Sequence, residues 1–245
     1  MSYARSHRLT LGETVSVAKT RSDLVARVPG PATRRSLEAV LLDVALASPD
    51  IRVPARDNIY NCGDHDESIY FLVRGMVKSM AWSRGGKRCM LAIHSGGEFF
   101  GEVGLLGTPR PDTAIAMKPS VVRRIPKARL IASLRGGDVF DDFSLRLIAR
   151  IAEKQTVIIN MATMKCENRL AVTLLELARQ MGTRDARGLV MECITHEDLG
   201  LMVGTTRSRI GFFLKTFRDT GLVDLNGDGT MVIHERRMLA YTQED

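Results

Sequence analysis

The chain lacks the features of secreted, disulfide-bonded and membrane-spanning proteins. Its 245 residues contain four scattered cysteines, Cys62, Cys89, Cys166 and Cys193, which form no CxxC pair and are expected to be reduced thiols. No uncharged apolar run approaches the roughly 20 residues of a membrane span. The basic N-terminus is not followed by the apolar stretch of a secretory signal. We therefore expect a cytoplasmic protein without a membrane partner.

A recognisable catalytic or metal-binding motif is also missing. Glu102, Asp112, His65 and His94 have the spacing of neither a nucleophile with its base nor a metal site. The dispersed cysteines do not form the cluster that an iron–sulfur sensor needs. Cys89 and His94 could serve as haem ligands, but a buried cysteine on a strand and a surface histidine are the more usual explanation. We predict that the protein is not an enzyme and has no metal.

The charge distribution is uneven along the chain. Apolar residues make up 44% and charged residues 26%, which is ordinary for a globular protein, and the length favours two domains. The net charge is +7. Residues 1–165 hold 25 basic and 16 acidic groups, whereas residues 166–245 hold 10 and 12. The basic excess therefore lies outside the C-terminal part, and net charge alone does not indicate nucleic-acid binding there.

The N-terminal half has the pattern of a β domain. Residues 1–30 show no periodicity and are interpreted as a loosely ordered extension. Beyond a helical stretch near residues 34–47, short apolar segments alternate with turn glycines every eight to twelve residues, which is typical of an antiparallel sandwich or barrel. Gly85 and Gly86 between two such segments predict a hairpin. We assign residues 31–137 to this domain.

A long helix is predicted over residues 138–168. Its apolar residues follow coiled-coil spacing, namely Phe140, Phe143, Leu147, Ile151, Ile158 and Met161. Lys154 and Gln155 interrupt the pattern once, either to control register in a dimer or to face a ligand. The alternative is one amphipathic helix that packs only on its own domain.

Residues 169–245 have the order of a winged helix-turn-helix. Three helical stretches are followed by two strand-like segments around the turn Asn226-Gly227-Asp228-Gly229. Thr195 is predicted to cap the second helix, with Asp198 completing a capping-box-like arrangement. Gly200 would let a neighbouring helix approach closely, and Gly204 would let the chain turn sharply.

The third helix of this unit is the candidate DNA-reading helix. Thr205 or Thr206 caps it, and its inner face consists of Ile210, Phe213, Leu214 and Phe217. The segment from Thr206 to Arg218 contains four basic residues, Arg218 included, and no acidic residue. Such a helix presents its N-terminal residues to base edges in the major groove, where an arginine can pair with guanine. The predicted DNA-binding residues are Thr195, Thr205, Thr206, Arg207, Ser208, Arg209, Phe212 and Lys215.

Three motifs together resemble the Crp/Fnr superfamily of transcriptional regulators. They are Gly63-x6-Tyr70-Phe71-Leu72-Val73-x-Gly75, the turn motif from Gly96 to Leu106, and the helix-turn-helix. The resemblance implies an α+β protein with an N-terminal cyclic-nucleotide-binding-type β jelly roll, a long dimerisation helix and a C-terminal winged helix-turn-helix. It further implies a homodimer that binds double-stranded DNA at a palindromic site, with RNA polymerase as a partner. A signalling module that acts on a protein without binding DNA is the alternative.

The resemblance also defines a candidate effector site, whose residues are Gly101, Glu102, Arg110, Thr113, Lys154 and Gln155. In members that bind cyclic AMP, the Glu holds the ribose and an Arg followed by Ser or Thr grips the phosphate. Those two positions are here Asp112 and Thr113, with Arg110 two residues earlier. The adenine-facing Thr-Ser pair is replaced by Lys154 and Gln155. Cyclic AMP, a different nucleotide, another small effector or no effector all stay open.

The reading helix also departs from the family's frequent Arg-Glu-x-x-x-Arg pattern. Ser208 stands at the Glu position and Phe212 at the second Arg position. An outward Phe suits a thymine methyl group, whereas Ser is less selective than Glu. We therefore expect a target site different from that of the cyclic-AMP regulator.

Overall fold

The computed structural model describes residues 37–135 and 138–243, so the predicted extension over residues 1–30 lies outside the described part. The first half consists of helix α1 (Leu37–Leu46), strands β1 (Asp50–Val53), β2 (Asn58–Tyr60), β3 (Ser68–Arg74), β4 (Met76–Trp82), β5 (Arg88–Ser95) and β6 (Glu98–Phe100), a 3-10 turn (Glu102–Leu106), strands β7 (Thr113–Ala116) and β8 (Ser120–Pro126), and helix α2 (Lys127–Leu134). The second half consists of helices α3 (Asp138–Thr163) and α4 (Cys166–Met181), strands β9 (Thr183–Arg184) and β10 (Leu189–Glu192), helices α5 (His196–Val203) and α6 (Arg207–Asp219), strands β11 (Val223–Leu225) and β12 (Thr230–Ile233), and helix α7 (Glu235–Gln243).

The first half is a β jelly roll, as predicted. Two four-stranded sheets, in the orders β1-β8-β3-β6 and β2-β7-β4-β5, are built only from antiparallel pairs. Their inner faces bury an apolar cluster that includes Tyr60, Leu72, Phe100 and Val122. The predicted hairpin at Gly85-Gly86 is confirmed, since β4 and β5 pair on either side of it. The alternation of apolar segments with turn residues in the sequence therefore predicted the β fold of this domain correctly.

The apolar residues of helix α3 lie on two sides: Phe143 and Leu147 of the predicted coiled-coil pattern pack on the chain's own core, whereas others are exposed. Phe143 is buried in a cluster with residues of α1, α2 and the β3–β8 sheet. The large apolar side chains that remain exposed on the helix are Phe140, Leu145, Ile148, Ile151, Val157, Ile158 and Ile159. A single chain thus leaves an apolar strip along most of this helix.

The long helix ends at Thr163 rather than near Asn168, where the sequence pattern placed its end. Arg169 of α4 accounts for the break, because its Nη1 donates to the carbonyls of Met161 and Met164 at 3.4 and 2.7 Å. The final carbonyls of a helix lack intrahelical partners, and the guanidinium supplies one. The chain therefore turns between Thr163 and Cys166, where α4 begins.

The second half contains the predicted winged helix. Helices α4, α5 and α6 pack over a sheet in the order β11-β12-β10-β9. The predicted β11–β12 hairpin is confirmed, with Asn226 N donating to the carbonyl of Thr230 at 2.9 Å. Strands β9 and β10 were not predicted, because they are only two and four residues long.

The two halves share a continuous apolar contact. Met76, Met80, Met90 and Ile93 of β4 and β5 belong to the same buried cluster as the core of the winged helix. This contact fixes the winged helix against one sheet of the jelly roll.

None of the helices within residues 37–135 and 138–243 is both long and apolar enough to cross a membrane.

Candidate nucleic-acid interface and effector site

Helix α5 begins at a side-chain cap. Thr195 Oγ1 accepts a hydrogen bond from Asp198 N at 3.1 Å, which satisfies one of the free donors of the first turn. The reciprocal half of a capping box is not made by Asp198. Its carboxylate is buried and instead accepts from Lys78 Nζ of the jelly roll at 2.7 Å. The sequence pattern identified the cap but not this contact between the two halves.

Two glycines set the turn between α5 and α6. Gly204 has a φ of +69° and ends α5 in the left-handed conformation, which glycine adopts without steric cost. A Cβ at Gly200 would lie 2.8 Å from the carbonyl oxygen of Thr205. The missing side chain at Gly200 therefore lets the chain leading into α6 lie directly on α5, as expected from the sequence.

Thr206, rather than Thr205, caps helix α6. Its Oγ1 accepts from Arg209 N at 3.3 Å, whereas Thr205 is half-buried and its N–H donates to the carbonyl of Gly200 at 2.9 Å. The predicted inner face is buried, namely Ile210, Phe213, Leu214 and Phe217. Helix α6 is thus anchored by one side only.

The opposite side of α6 is exposed. Its exposed side chains include those of Arg207, Ser208, Arg209, Phe212 and Lys215. Phe212 is 67% exposed although it is large and apolar. The helix carries no acidic side chain before Asp219 at its end. This face is basic, projects from the fold and has an apolar centre.

His196 borders the same face, although sequence reasoning did not select it. A Cβ at Gly211, in the outer part of α6, would lie 3.4 Å from His196 Nδ1. His196 is exposed in the first turn of α5, next to Thr195. The one feature of the sequence that could have identified His196 is its position directly after the capping residue Thr195.

In the jelly roll, Gly101 and Glu102 form the predicted turn. Gly101 has a φ of +79° and precedes the 3-10 turn that begins at Glu102. The Glu102 carboxylate forms an ion pair with Arg150 of α3, and Arg150 Nη2 also donates to the carbonyl of Phe99 at 3.3 Å. The long helix is therefore bonded directly to the candidate effector turn.

Arg110 lies beneath this turn and is only 1% exposed. Its Nη1 donates to the carbonyl of Gly101 at 2.7 Å. Its Nη2 donates to the carbonyl of Ser68 at 2.5 Å and to Asp66 Oδ2 at 3.0 Å. The guanidinium carbon lies 4.0 Å from the centre of the Tyr60 ring. Of the guanidinium donors, Nε alone has no hydrogen-bond acceptor within the described residues.

The glycines of the turn fit closely over Arg110. A Cβ at Gly101 would lie 2.8 Å from Arg110 Nη1, and one at Gly104 would lie 2.6 Å from Nη2. The turn and the buried guanidinium therefore form one unit, which accounts for both glycines without a ligand.

The other candidate effector residues are dispersed around this unit. Thr113 is buried, and its Oγ1 accepts from Cys62 N at 2.9 Å. Asp112 is buried and accepts from the Tyr60 hydroxyl at 3.1 Å. Lys154 and Gln155 are exposed on α3, and Lys154 Nζ donates to the carbonyl of Leu91 at 2.9 Å. The structure thus joins Gly101, Glu102 and Arg110, while α3 reaches the jelly roll through Arg150 and Lys154.

The prediction of a buried Cys89 and a surface His94 is wrong, because the two exposures are reversed. Cys89 is exposed, whereas His94 is buried, stacks on Phe100 with ring centres 5.1 Å apart, and hydrogen-bonds Ser79 Oγ at 3.1 Å. Burial lowers the pKa of His94. Between the pairs Ser79–Ala92 and Met80–Met90 strand β5 contains one extra residue, Leu91, and this β-bulge changes the alternation on which the expectation rested. Within the described ranges, no three potential metal ligands come together.

Comparison with known proteins agrees with both halves of the fold. Residues 50–136 match the cyclic nucleotide-binding domain family, and residues 168–241 match the Crp-like helix-turn-helix domain family. A cAMP-activated global transcriptional regulator CRP from Pasteurella multocida is 28% identical over 189 residues, which cover 76% of this chain and 90% of the relative. The corresponding regulator of an Escherichia coli strain is also 28% identical, over 192 residues, with the same coverage.

Solved structures show the same fold. The structure of FixK2 from Bradyrhizobium japonicum has a TM-score of 0.67 at 22% identity, and the match covers 80% of this chain and 96% of that one. The c-di-GMP responsive global regulator CLP of Xanthomonas campestris has a TM-score of 0.63 at 20% identity, with coverage of 80% and 98%. The two family matches occur in one chain, with the cyclic nucleotide-binding domain before the Crp-like helix-turn-helix domain. The chain belongs to the Crp/Fnr family of transcriptional regulators.

Proposed function

We propose that the protein is a sequence-specific DNA-binding transcription regulator that acts as a homodimer on a palindromic site and is controlled by a small effector. The observation that carries this proposal is helix α6, whose inner face is buried and whose outer face is exposed, basic and free of acidic groups before its end. A solvated structural helix has no need of such one-sided charge. The alternative, a signalling module without DNA binding, is not favoured by this face or by the relatives, which are transcriptional regulators.

The exposed residues of α6 have distinct expected roles. Arg207, in the first turn, can pair with both acceptors of guanine in the major groove. Thr195 and Thr206 stand at helix N-termini, where hydroxyl and free N–H groups suit phosphate contacts. Arg209 and Lys215 add positive charge, and Phe212 suits a thymine methyl group. The side chain of Thr205 is half-buried. We therefore propose that the DNA contact predicted for Thr205 is made by backbone N–H groups near it rather than by its hydroxyl group.

The exposed apolar strip of α3 supports the homodimer. Ile148, Ile151 and Ile158 are each more than half exposed, and strips of this kind on a helix are covered by a second helix in a coiled coil. A two-fold dimer would place two α6 helices in successive major grooves about 34 Å apart. The target site would then be a palindrome.

The residues of the effector site do not fit a cyclic AMP phosphate. The Nη groups of Arg110 are bonded to protein oxygens beneath the turn, and buried Asp112 would repel an anion. We propose that the effector is a different small molecule, which binds at the Glu102 turn and displaces Arg150. Because Arg150 and Lys154 tie α3 to the jelly roll, such binding would move the dimer helix and shift the population of DNA-binding orientations. Calorimetry with cyclic mono- and dinucleotides tests this assignment.

The remaining proposals follow from the relatives. They are transcription regulators, so we propose that this chain is not an enzyme, contacts RNA polymerase and acts in the cytoplasm.

Selection from a random DNA library tests the function. We expect the wild-type protein to enrich a palindrome that differs from the cyclic-AMP regulator's TGTGA-type half-site, since Ser208 and Phe212 replace Glu and Arg. Arg207→Ala should weaken binding by about 1–3 kcal/mol and relax the preference at one base pair of each half-site. Equal weakening on every sequence would make Arg207 a phosphate contact, and a wild-type protein that enriches no sequence would refute the proposed function.

A further inference from the structure

The turn between β4 and β5 is a basic projection of the jelly roll. Residues 76–97 contain four basic residues and no acidic one, and Arg84, Lys87 and Arg88 surround the turn. All three are exposed. Neither Arg84 nor Lys87 forms an ion pair with any residue of the described ranges. We call residues 83–88 the basic hairpin.

The basic hairpin lies beside the DNA-reading face. Arg88 Nη2 donates to Glu197 Oε1 at 2.8 Å, and Glu197 is in the first turn of α5. The neighbouring His196 lies against the outer part of α6 at Gly211. One helical turn therefore separates the hairpin from α6. In a helix-turn-helix the first helix crosses the DNA backbone, so on a duplex bound in this way the hairpin would lie near the phosphates.

The hairpin is held firmly in this position. Met80 and Met90, on the two strands that carry it, are buried in the core shared with the winged helix. Lys78 of β4 pairs with buried Asp198 in the same first turn of α5. A positioned cation gives up less conformational freedom on binding than one on a loose loop. The strands that carry Arg84 and Lys87 are therefore anchored in the core, and both side chains are exposed to a binding partner.

Charge complementarity identifies the partner. Residues 166–245 hold 10 basic and 12 acidic groups, whereas residues 37–135, which include the jelly roll, hold 14 basic and 10 acidic groups. Arg88 of the hairpin contacts Glu197, which lies two positions after Thr195, a residue proposed to contact phosphate. We propose that Arg84 and Lys87 contact the DNA backbone, so that the sensor domain itself forms part of the DNA-binding surface. This inference rests on the proposed function and extends the DNA contact beyond the helix-turn-helix.

The test compares two double variants of the full chain on the DNA selected by the wild type. R84A/K87A removes both hairpin charges. R52A/R74A removes two exposed charges from the β1-β8-β3-β6 sheet, which is not the sheet that packs on the winged helix. Both variants change the net charge equally. Affinity is measured on the selected site and on a scrambled site between about 50 and about 200 mM salt, where phosphate binding depends steeply on salt.

We expect R84A/K87A to lower affinity about tenfold or more on both DNAs, and to reduce the salt slope by up to about 0.9 for each phosphate that the variant no longer neutralises. The ratio between the two DNAs should not change, because phosphate contacts carry no sequence information. R52A/R74A should bind as the wild type does. Equal weakening in both variants, or wild-type binding by R84A/K87A, would overturn the proposal.

Loss of transcription activation alone, with DNA affinity unchanged, would also overturn it and assign the hairpin to a protein partner. Failure of the proposed function is a separate result, since the wild type would then select no DNA sequence.

Discussion

Arg110 was predicted to bind an effector, and its surroundings favour a structural role for the same charge. Burying a guanidinium is costly unless its donors are bonded, and this cost is offset by the carbonyls of Gly101 and Ser68, the carboxylate of Asp66 and the Tyr60 ring. Removing the cation would leave two carbonyls and a carboxylate with fewer donors.

Replacement of Arg110 by Leu should therefore lower the free energy of unfolding by about 3 kcal/mol or more, as when one partner of a buried ion pair is removed. Arg124→Leu is the matched control, because Arg124 bonds the other oxygen of Asp66 from a half-exposed position and should cost less than about 1 kcal/mol. Urea unfolding measures both. Similar small decreases in the two variants would show that Arg110 is available for another role.

Asp66 makes the free energy of unfolding depend on pH in the acidic range. Desolvation alone would raise its pKa, but hydrogen bonds from Tyr70, Arg124, Ser68 and Arg110 outweigh it and lower the pKa to about 2. A carboxyl group whose pKa is depressed stabilises the fold above its unfolded value of 3.8 and loses that contribution as pH falls through the folded value.

Unfolding free energy should accordingly decline between about pH 4 and pH 2. Asp66→Asn should be less stable at neutral pH and should show a smaller decline in that window, which urea titrations at successive pH values would measure. An unchanged slope in Asp66→Asn would assign the acid sensitivity to other carboxylates.

Single residues were predictable where periodicity decides their direction. The outward position of Arg207 and the burial of Phe213 follow from helical spacing, and the threonines that cap α5 and α6 follow from backbone donors that need a partner. Partners distant in sequence were not predictable. The bonds of Asp198 to Lys78 and of Arg110 to Asp66 span 120 and 44 positions, and no local pattern encodes them.

At the scale of elements, the approach of α5 and α6 depends on the absence of one side chain. A Cβ at Gly200 would meet a backbone oxygen at 2.8 Å, and backbone cannot rotate away as a side chain can. Alanine would gain about 1 kcal/mol in helix propensity, but the close approach forces α6 to shift.

Gly200→Ala should lower DNA affinity by about tenfold, which corresponds to about 1.4 kcal/mol, because α6 would no longer present Arg207 in the same place. Gly227→Ala is the control, since a Cβ there meets nothing within 4 Å. Electrophoretic mobility shifts with both variants, alongside circular dichroism, would separate a moved helix from an unfolded one. Equal DNA affinity in the two variants would contradict the proposed packing.

Elements were predictable where the pattern is regular and sustained. The jelly-roll strands, the hairpins at Gly85 and Asn226, and the helix-turn-helix all follow from apolar periodicity with turn residues. The end of α3 could not be predicted from this periodicity, because Arg169 of the next helix bonds to the carbonyls of Met161 and Met164 there. Strands β9 and β10 exist because β12 pairs with β10, which is a tertiary requirement.

For the whole molecule, the uneven charge of the chain acquires a structural meaning. Ion pairs between the halves join cations of the jelly roll to anions of the winged helix: Lys78 to Asp198, Arg88 to Glu197, and Lys118 to Glu192. The acidic balance of the C-terminal unit therefore serves its attachment to the sensor, while its DNA-reading helix stays basic.

The Lys78–Asp198 pair should dominate this attachment, because its side chains are 21% and 10% exposed whereas those of Arg88 and Glu197 are more than half exposed. Lys78→Asp would place two carboxylates together and should weaken the attachment by about 2–5 kcal/mol. Because Trp82 on β4 is the only tryptophan in the chain, its fluorescence reports the environment of this sheet without interference.

We expect Lys78→Asp to shift the Trp82 emission and to separate the unfolding of the two halves, and the swap K78D/D198K to restore much of the wild-type behaviour. Glu197→Lys, which disturbs only the exposed pair, should change little, since surface pairs contribute about 0–1 kcal/mol. If the swap behaves no better than the single variant, the apolar contact through Met80 and Met90 holds the halves together without help from this pair.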